Sequence, residues 1–108
     1  METIFHAHHA TISPRMRRRA ELAVERAATR LPRTVDAIVR FEQDGPVKRV
    51  EVVLHAPRHP DLVARGEGKF YGPALTIAID RLTSQIRKLR ASRRSAERAP
   101  SAEKADRV

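Results

Sequence analysis

The apolar residues of this chain change period three times, from about two to about 3.6, back to two and again to 3.6, and few architectures accommodate all three switches. Thr3 to His8 suits a short strand. Ser13-Pro14 then starts a helix, because the Ser13 hydroxyl can cap free backbone N–H groups and Pro14 at the first helical position loses nothing by lacking its own. Met16, Ala20, Ala23, Val24, Ala27, Ala28 and Leu31 follow at helical spacing until Pro32 closes the run. From Val35 the period is two: Val35, Ala37, Val39 and Phe41 share one face of a strand, and Asp36, Ile38, Arg40 and Glu42 share the other. Asp44-Gly45-Pro46 is turn chemistry, and the next strand sets Val50, Val52, Leu54 and Ala56 opposite Arg49, Glu51, Val53 and His55.

A second turn, Pro57 to Pro60, leads to a strand from Asp61 through Arg65 with Leu62 and Ala64 facing inward. Gly66, Gly68 and Gly72 read as a strand-to-helix turn. A second helix then begins at Pro73, with Leu75, Ala78, Ile79, Leu82, Ile86 and Leu89 on its apolar stripe, and runs to about Arg94. Residues 95–108 hold no large apolar residue before Val108 and read as a disordered polar tail. The expected fold is α+β, in the order β-α-β-β-β-α, over residues 1–94. A right-handed crossover makes the first two strands parallel, and two hairpins return the fourth strand to that direction. The result is a four-stranded mixed sheet with two roughly parallel helices packed on one face.

At 108 residues this is one domain. The absence of Cys excludes a disulfide scaffold, thiolate zinc sites and a cysteine nucleophile. No apolar run approaches a membrane span, and Met-Glu-Thr-Ile-Phe-His is not the start of a signal peptide, so a cytoplasmic protein is expected.

The formal charge of +9 is unevenly placed. Residues 13–31 carry a net +4 and residues 72–94 a net +5, while the strands, loops and tail cancel to zero. An excess confined to two helices points to a polyanionic partner; aromatics at 4% leave little for stacking on bases. At about 100° per residue, Arg15, Arg19, Arg26 and Arg30 fall along one flank of the first helix, with Glu21 and Glu25 on the far side. The last two turns of the second, Arg87-Lys88-Leu89-Arg90-Ala91-Ser92-Arg93-Arg94, are basic almost all round. Cations answering a helix dipole account for two or three of these residues. The pair of helices would therefore offer two basic rows with a groove between, able to straddle phosphate backbones.

The stretch Ala64-Arg65-Gly66-Glu67-Gly68, followed by Ala78-Ile79-Asp80-Arg81-Leu82-Thr83-Ser84-Gln85-Ile86-Arg87-Lys88, resembles the ribosome hibernation-promoting factor family, which includes the ribosome-associated inhibitor A proteins, in its short single-domain form. The similarity extends over about residues 1–94. It implies the same β-α-β-β-β-α fold, seated on the small ribosomal subunit in the channel for tRNA and mRNA, where it would block translation in resting or stressed cells. By position, the resemblance sets Arg81, Gln85, Lys88, Arg90 and Arg94 on the second helix and Arg17 on the first against ribosomal RNA. Phe70-Tyr71-Gly72-Pro73 departs from the family pattern, implying a later start or a different approach for the second helix.

Other constellations yield less. His6 and His8 share a strand face that His55 can also occupy, yet no Cys or fixed carboxylate completes a metal set, and polar residues on the open face of a one-sided sheet are the plainer account. The glycines from Gly66 to Gly72 have the wrong spacing for dinucleotide or Walker loops. Asp80 is expected to make a local ion pair or helix-surface contact, with Arg81, Arg87 and Thr83 near it, and Phe70 and Tyr71 to cover the edge of the core. No catalytic set, cofactor or metal emerges, and the function that the resemblance implies is occupancy: a monomeric ribosome-binding inhibitor competing with tRNA and mRNA. The alternatives are a structured-RNA or DNA-binding module away from the ribosome, a protein module for an acidic partner, and a small metal-dependent enzyme using the His-bearing face.

Overall fold

The computed structural model describes residues 1–31, 33–34, 36–57 and 59–98, with side chains as far as 92. Its elements are β1 (Glu2–His8), α1 (Pro14–Ala28), β2 (Asp36–Asp44), β3 (Val47–His55), β4 (Leu62–Gly68) and α2 (Tyr71–Arg98), in the expected order. The sheet runs β1-β2-β3-β4, with β1 parallel to β2 and the other two pairings antiparallel. At the hairpin between β2 and β3, Gly45 has φ +59, which the first position of a two-residue loop requires when Pro46 follows.

Alternation on the strands decides which face is covered. Ala37, Val39 and Phe41 of β2, Val50, Val52 and Leu54 of β3, and Ala64 of β4 are buried together with Ala20, Val24, Ala27 and Ala28 of α1 and Ala74, Leu75, Ala78, Leu82 and Ile86 of α2. Both helices thus lie on one face. No polar or charged residue is buried in this core among the described residues. Ser13 caps α1 as expected, its hydroxyl accepting from the Met16 backbone N–H at 3.1 Å. Leu31 stays buried beyond the helix, which ends at Ala28 with Thr29 as its C-cap.

Several boundaries differ from the sequence expectation. Gly66 and Gly68 belong to β4 rather than to a turn, because a side chain at Gly66 would strike the backbone of α2: a Cβ there would stand 2.0 Å from the Ala74 carbonyl oxygen. Helix α2 starts at Tyr71, two residues before Pro73. A proline is tolerated there because the N–H groups of a first turn have no partner in the helix; the first bond of this turn runs from Ala74 N–H to the Phe70 carbonyl at 3.3 Å. At its other end α2 continues past Arg94 to Arg98, since Ser95, Ala96 and Glu97 place no breaker before Pro100. Residues 99–108 of the expected tail, and Val35 of the expected second strand, lie outside the described residues.

The uncovered face is built in cross-strand rows. Ile4, Ile38, Val53 and Val63 stand opposite one another across all four strands. Beside them runs a charged row in which Glu51 accepts from Arg40 at 3.0 Å and from Arg65 at 2.5 Å. Further along, Arg49 pairs with Glu67 at 2.9 Å and with Asp44 at 3.4 Å. Those contacts, Glu67 first, raise its pKa above the ordinary arginine value. The sheet arginines therefore face carboxylates, which leaves the excess charge of the domain on its helices.

Candidate nucleic-acid interface

Two contacts fix how the helices lie. Arg19 of α1 donates to the Thr76 hydroxyl of α2 at 3.4 Å, a separation of 57 residues. Arg30, just beyond α1, shares a cleft of about 100 Å³ with Arg87, Arg90 and Ala91 of α2, and Arg30 to Arg87 is the same separation. Equal offsets at both ends mean that the helices run parallel and in step. The three arginines around the cleft are exposed, and no carboxylate lines it. Guanidinium groups gathered without an acid make a site for an anion with several oxygens, which takes bidentate hydrogen bonds from each fork.

The remaining basic residues divide by neighbourhood. Arg15, Arg26 and Lys88 are exposed and have no carboxylate partner among the described residues. Arg17 sets its guanidinium over the Phe5 ring, 5.0 Å from the centroid, on the β1 side of the domain. Arg18 instead pairs with Glu21. The side chains of Arg93 and Arg94 lie outside the described residues.

Arg81 and Gln85 are held in a way that helix periodicity alone does not reveal. Arg81 donates to the Arg65 carbonyl at 2.8 Å and Gln85 to the Val63 carbonyl at 2.7 Å. Two helical residues four apart thus meet two carbonyls two apart on β4, a terminal strand of the sheet, and satisfy groups that would otherwise stand unpaired. Arg81 is exposed and retains further N–H donors, so the bond to β4 leaves it able to meet a phosphate.

Several expectations change. Asp80 is exposed and makes no ion pair among the described residues. Tyr71 covers the edge of the core, its ring 5.5 Å from Phe41 at 85°, but Phe70 does not; it is 65% exposed. The first residue of the helix turns inward and the one before it turns out. His6 and His55 do share the open face, yet His55 stands opposite Asp36, and through it Glu2, which is four residues or about 13 Å along β1 from His6. His55 instead meets Asp61 at 2.6 Å and Asp36 at 3.6 Å. No group of three His, Asp or Glu residues placed to hold a metal occurs among the described residues. Nor is any described helix long and apolar enough to cross a membrane.

Tyr71 offers an optical check on this corner, being the chain's single tyrosine alongside no tryptophan. Burial, and secondly the negative charge of Glu42, raise its phenol pKa above the ordinary value. The unfolded chain then ionises first, so the neutral phenol's contribution to stability, complete at neutral pH, declines as pH climbs through the ordinary tyrosine range. The phenolate absorbance of the folded protein should appear at higher pH than that of the chain in urea; coincident curves would contradict the partly buried placement of Tyr71 against the core.

Fold and site together define a class: a small α+β domain that keeps a charge-balanced sheet on one side and presents a cationic pair of parallel helices on the other. The sequence model of the family described as Sigma 54 modulation protein / S30EA ribosomal protein matches residues 3–94. The chain belongs to this family, the hibernation-promoting factor family that its 64–68 and 78–88 segments resemble. Its fold is similar to that of a ribosomal subunit interface protein from Coxiella burnetii, with TM-score 0.77 and 19% identity over 84% of this chain and 99% of the other. It is also similar to the Thermus thermophilus Protein Y N-terminal domain, with TM-score 0.71 and 20% identity over 82% of this chain and 99% of that one. No curated protein sequence matches the chain.

Proposed function

We propose that this protein inhibits translation by occupying the tRNA and mRNA channel of the small ribosomal subunit, with its two-helix face against ribosomal RNA. The observation that carries this reading is the acid-free cleft where Arg30, Arg87 and Arg90 converge at one end of the parallel helices. Family membership supports the ribosome as its target, and the Coxiella relative is named for the ribosomal subunit interface. The mechanism is exclusion. Arg15, Arg19, Arg26, Arg30, Arg87, Lys88 and Arg90 neutralise phosphates, counterions are released, and the bound domain fills the space of anticodon stems and message. Such a protein needs no cofactor and performs no reaction. On this reading it works as a monomer in the cytoplasm, where ribosomes are.

The purified protein should co-sediment with vacant small subunits at moderate salt, compete with initiator tRNA and lower the peptide yield of a reconstituted translation reaction. Unchanged tRNA occupancy and yield at saturating protein would reject the proposal. Binding to structured RNA in general, with no preference for the subunit, would favour a module that acts away from the ribosome.

A further inference from the structure

The chain has four aromatic residues apart from its histidines, and three of them are in contact. Phe5 stacks on Phe41 at 6.4 Å, and Tyr71 meets Phe41 edge to face, closing one end of the core. Phe70 is the exception, 65% exposed immediately before α2. A single exposed apolar side chain is ordinary on a protein surface. What distinguishes this one is its cations. The Lys48 ammonium sits 5.9 Å from the Phe70 centroid and 5.2 Å from that of Tyr71, and Lys69 is the adjoining residue. Arg19 reaches the same first turn of α2, where a side chain at Gly72 would come within 3.1 Å of its guanidinium. None of Arg19, Lys48 and Lys69 pairs with a carboxylate among the described residues, whereas Arg40, Arg49 and Arg65 on the sheet all do. Glu42, the acid whose charge acts on Tyr71, lies 3.9 Å from Arg49.

An exposed ring with the Lys48 ammonium beside it, Lys69 adjoining it in sequence and Arg19 at the first turn that follows fits one ligand chemistry in both its parts. A nucleobase offers a π-face to the ring, and its flanking phosphates take the lysines and the arginine. A hydrophobic protein segment would use the ring and leave the cations unanswered. Phe70 precedes Arg87 by 17 residues, about 26 Å at 1.5 Å per residue, so it stands at the N-terminal end of α2, away from the cleft of Arg30, Arg87 and Arg90. We propose that Phe70 is a stacking platform for an unpaired nucleotide of the RNA bound by the helical face, with Lys48, Lys69 and Arg19 holding the adjacent phosphates. This rests on the reading of the helices as an RNA-binding face, and it extends that face round the N-terminal end of α2.

The test compares the wild-type protein with Phe70→Leu, Phe70→Ala and Phe70→Trp, each checked for unchanged thermal unfolding, against two probes: vacant small ribosomal subunits and a fluorescein-labelled oligoadenylate. Loss of one base stack corresponds to about a five- to hundredfold weakening. Phe70→Leu and Phe70→Ala should both weaken binding by that much, and Phe70→Trp should retain it, because leucine keeps the apolar bulk without the π-face. Leucine binding as tightly as phenylalanine would overturn the proposal and indicate an apolar contact or none. A wild-type protein that ignores the subunits but binds oligoadenylate in a Phe70-dependent way would remove the ribosomal reading and keep the stacking site. Failure to bind either probe would remove both.

Discussion

Replacing Gly66 with alanine should lower the thermal unfolding midpoint by at least about 12 °C, taking a loss of about 3 kcal/mol and about 4 °C per kcal/mol for a domain of this size. The added Cβ would stand 2.0 Å from the Ala74 carbonyl oxygen and 2.8 Å from the Ala78 backbone nitrogen. Both atoms belong to the main chain of α2, so no rotamer change relieves the clash. The helix has to lift from β4, opening the layer that Ala64, Ala74 and Ala78 seal. That loss is a large part of the ~5–15 kcal/mol that holds a domain together. Gly68→Ala supplies the control. Its Cβ would meet nothing nearer than 3.7 Å, and alanine narrows the unfolded ensemble, so its midpoint should stay within a few degrees of wild type or rise. Equal midpoints for the two variants would mean that α2 does not sit this close to β4.

The same pair of glycines marks where the sequence stops being legible. Alternation and helical spacing name the buried residues of β2 and β3 because each strand carries its own period, and Ser13-Pro14 marks the start of α1 because capping is local. Gly66 carries no local sign of its role. Its missing side chain answers the backbone of a helix eight residues further on, and without the helix in place three spaced glycines look like a turn. Pro73 misleads for a related reason: proline favours the first helical position, yet any position in the first turn lacks a hydrogen-bond partner and can hold it.

Polar residues on α2 repeat the lesson at the site. The family resemblance sets Arg81 and Gln85 against RNA, and only the lateral position of the helix relative to β4 reveals that they also bind the Arg65 and Val63 carbonyls. A signal was present, since donors four apart on a helix match carbonyls two apart on a strand when the helix lies along the edge. Reading it requires knowing that β4 is a terminal strand and that α2 covers it. The convergence of Arg30 with Arg87 and Arg90 likewise depends on the helices being parallel and in step, and periodicity within either helix is silent on that.

Converting Arg30, Arg87 and Arg90 together to glutamine should weaken binding to vacant small subunits by on the order of a thousandfold at low salt, at about 1.5 kcal/mol for each charge-assisted hydrogen bond to phosphate that disappears. Glutamine nearly matches arginine in helix propensity, and the buried Leu82 and Ile86 are untouched, so folding should persist. The slope of log affinity against log salt should also flatten by up to about one unit per phosphate left unneutralised, because fewer counterions leave when the RNA binds. Net charge alone could mimic the first effect. The control therefore removes the same formal charge from the opposite side of the domain, in Arg40→Gln, Arg49→Gln and Arg65→Gln combined, with folding checked by thermal unfolding because Glu51, 17% exposed, loses both of its arginine partners. Those arginines already face carboxylates, so they have fewer counterions to release and their replacement should leave the salt slope close to wild type. Equal reductions in affinity and slope from the two triples would mean that the domain binds as a diffuse cation, and the parallel-helix face would have to be given up as the docking surface.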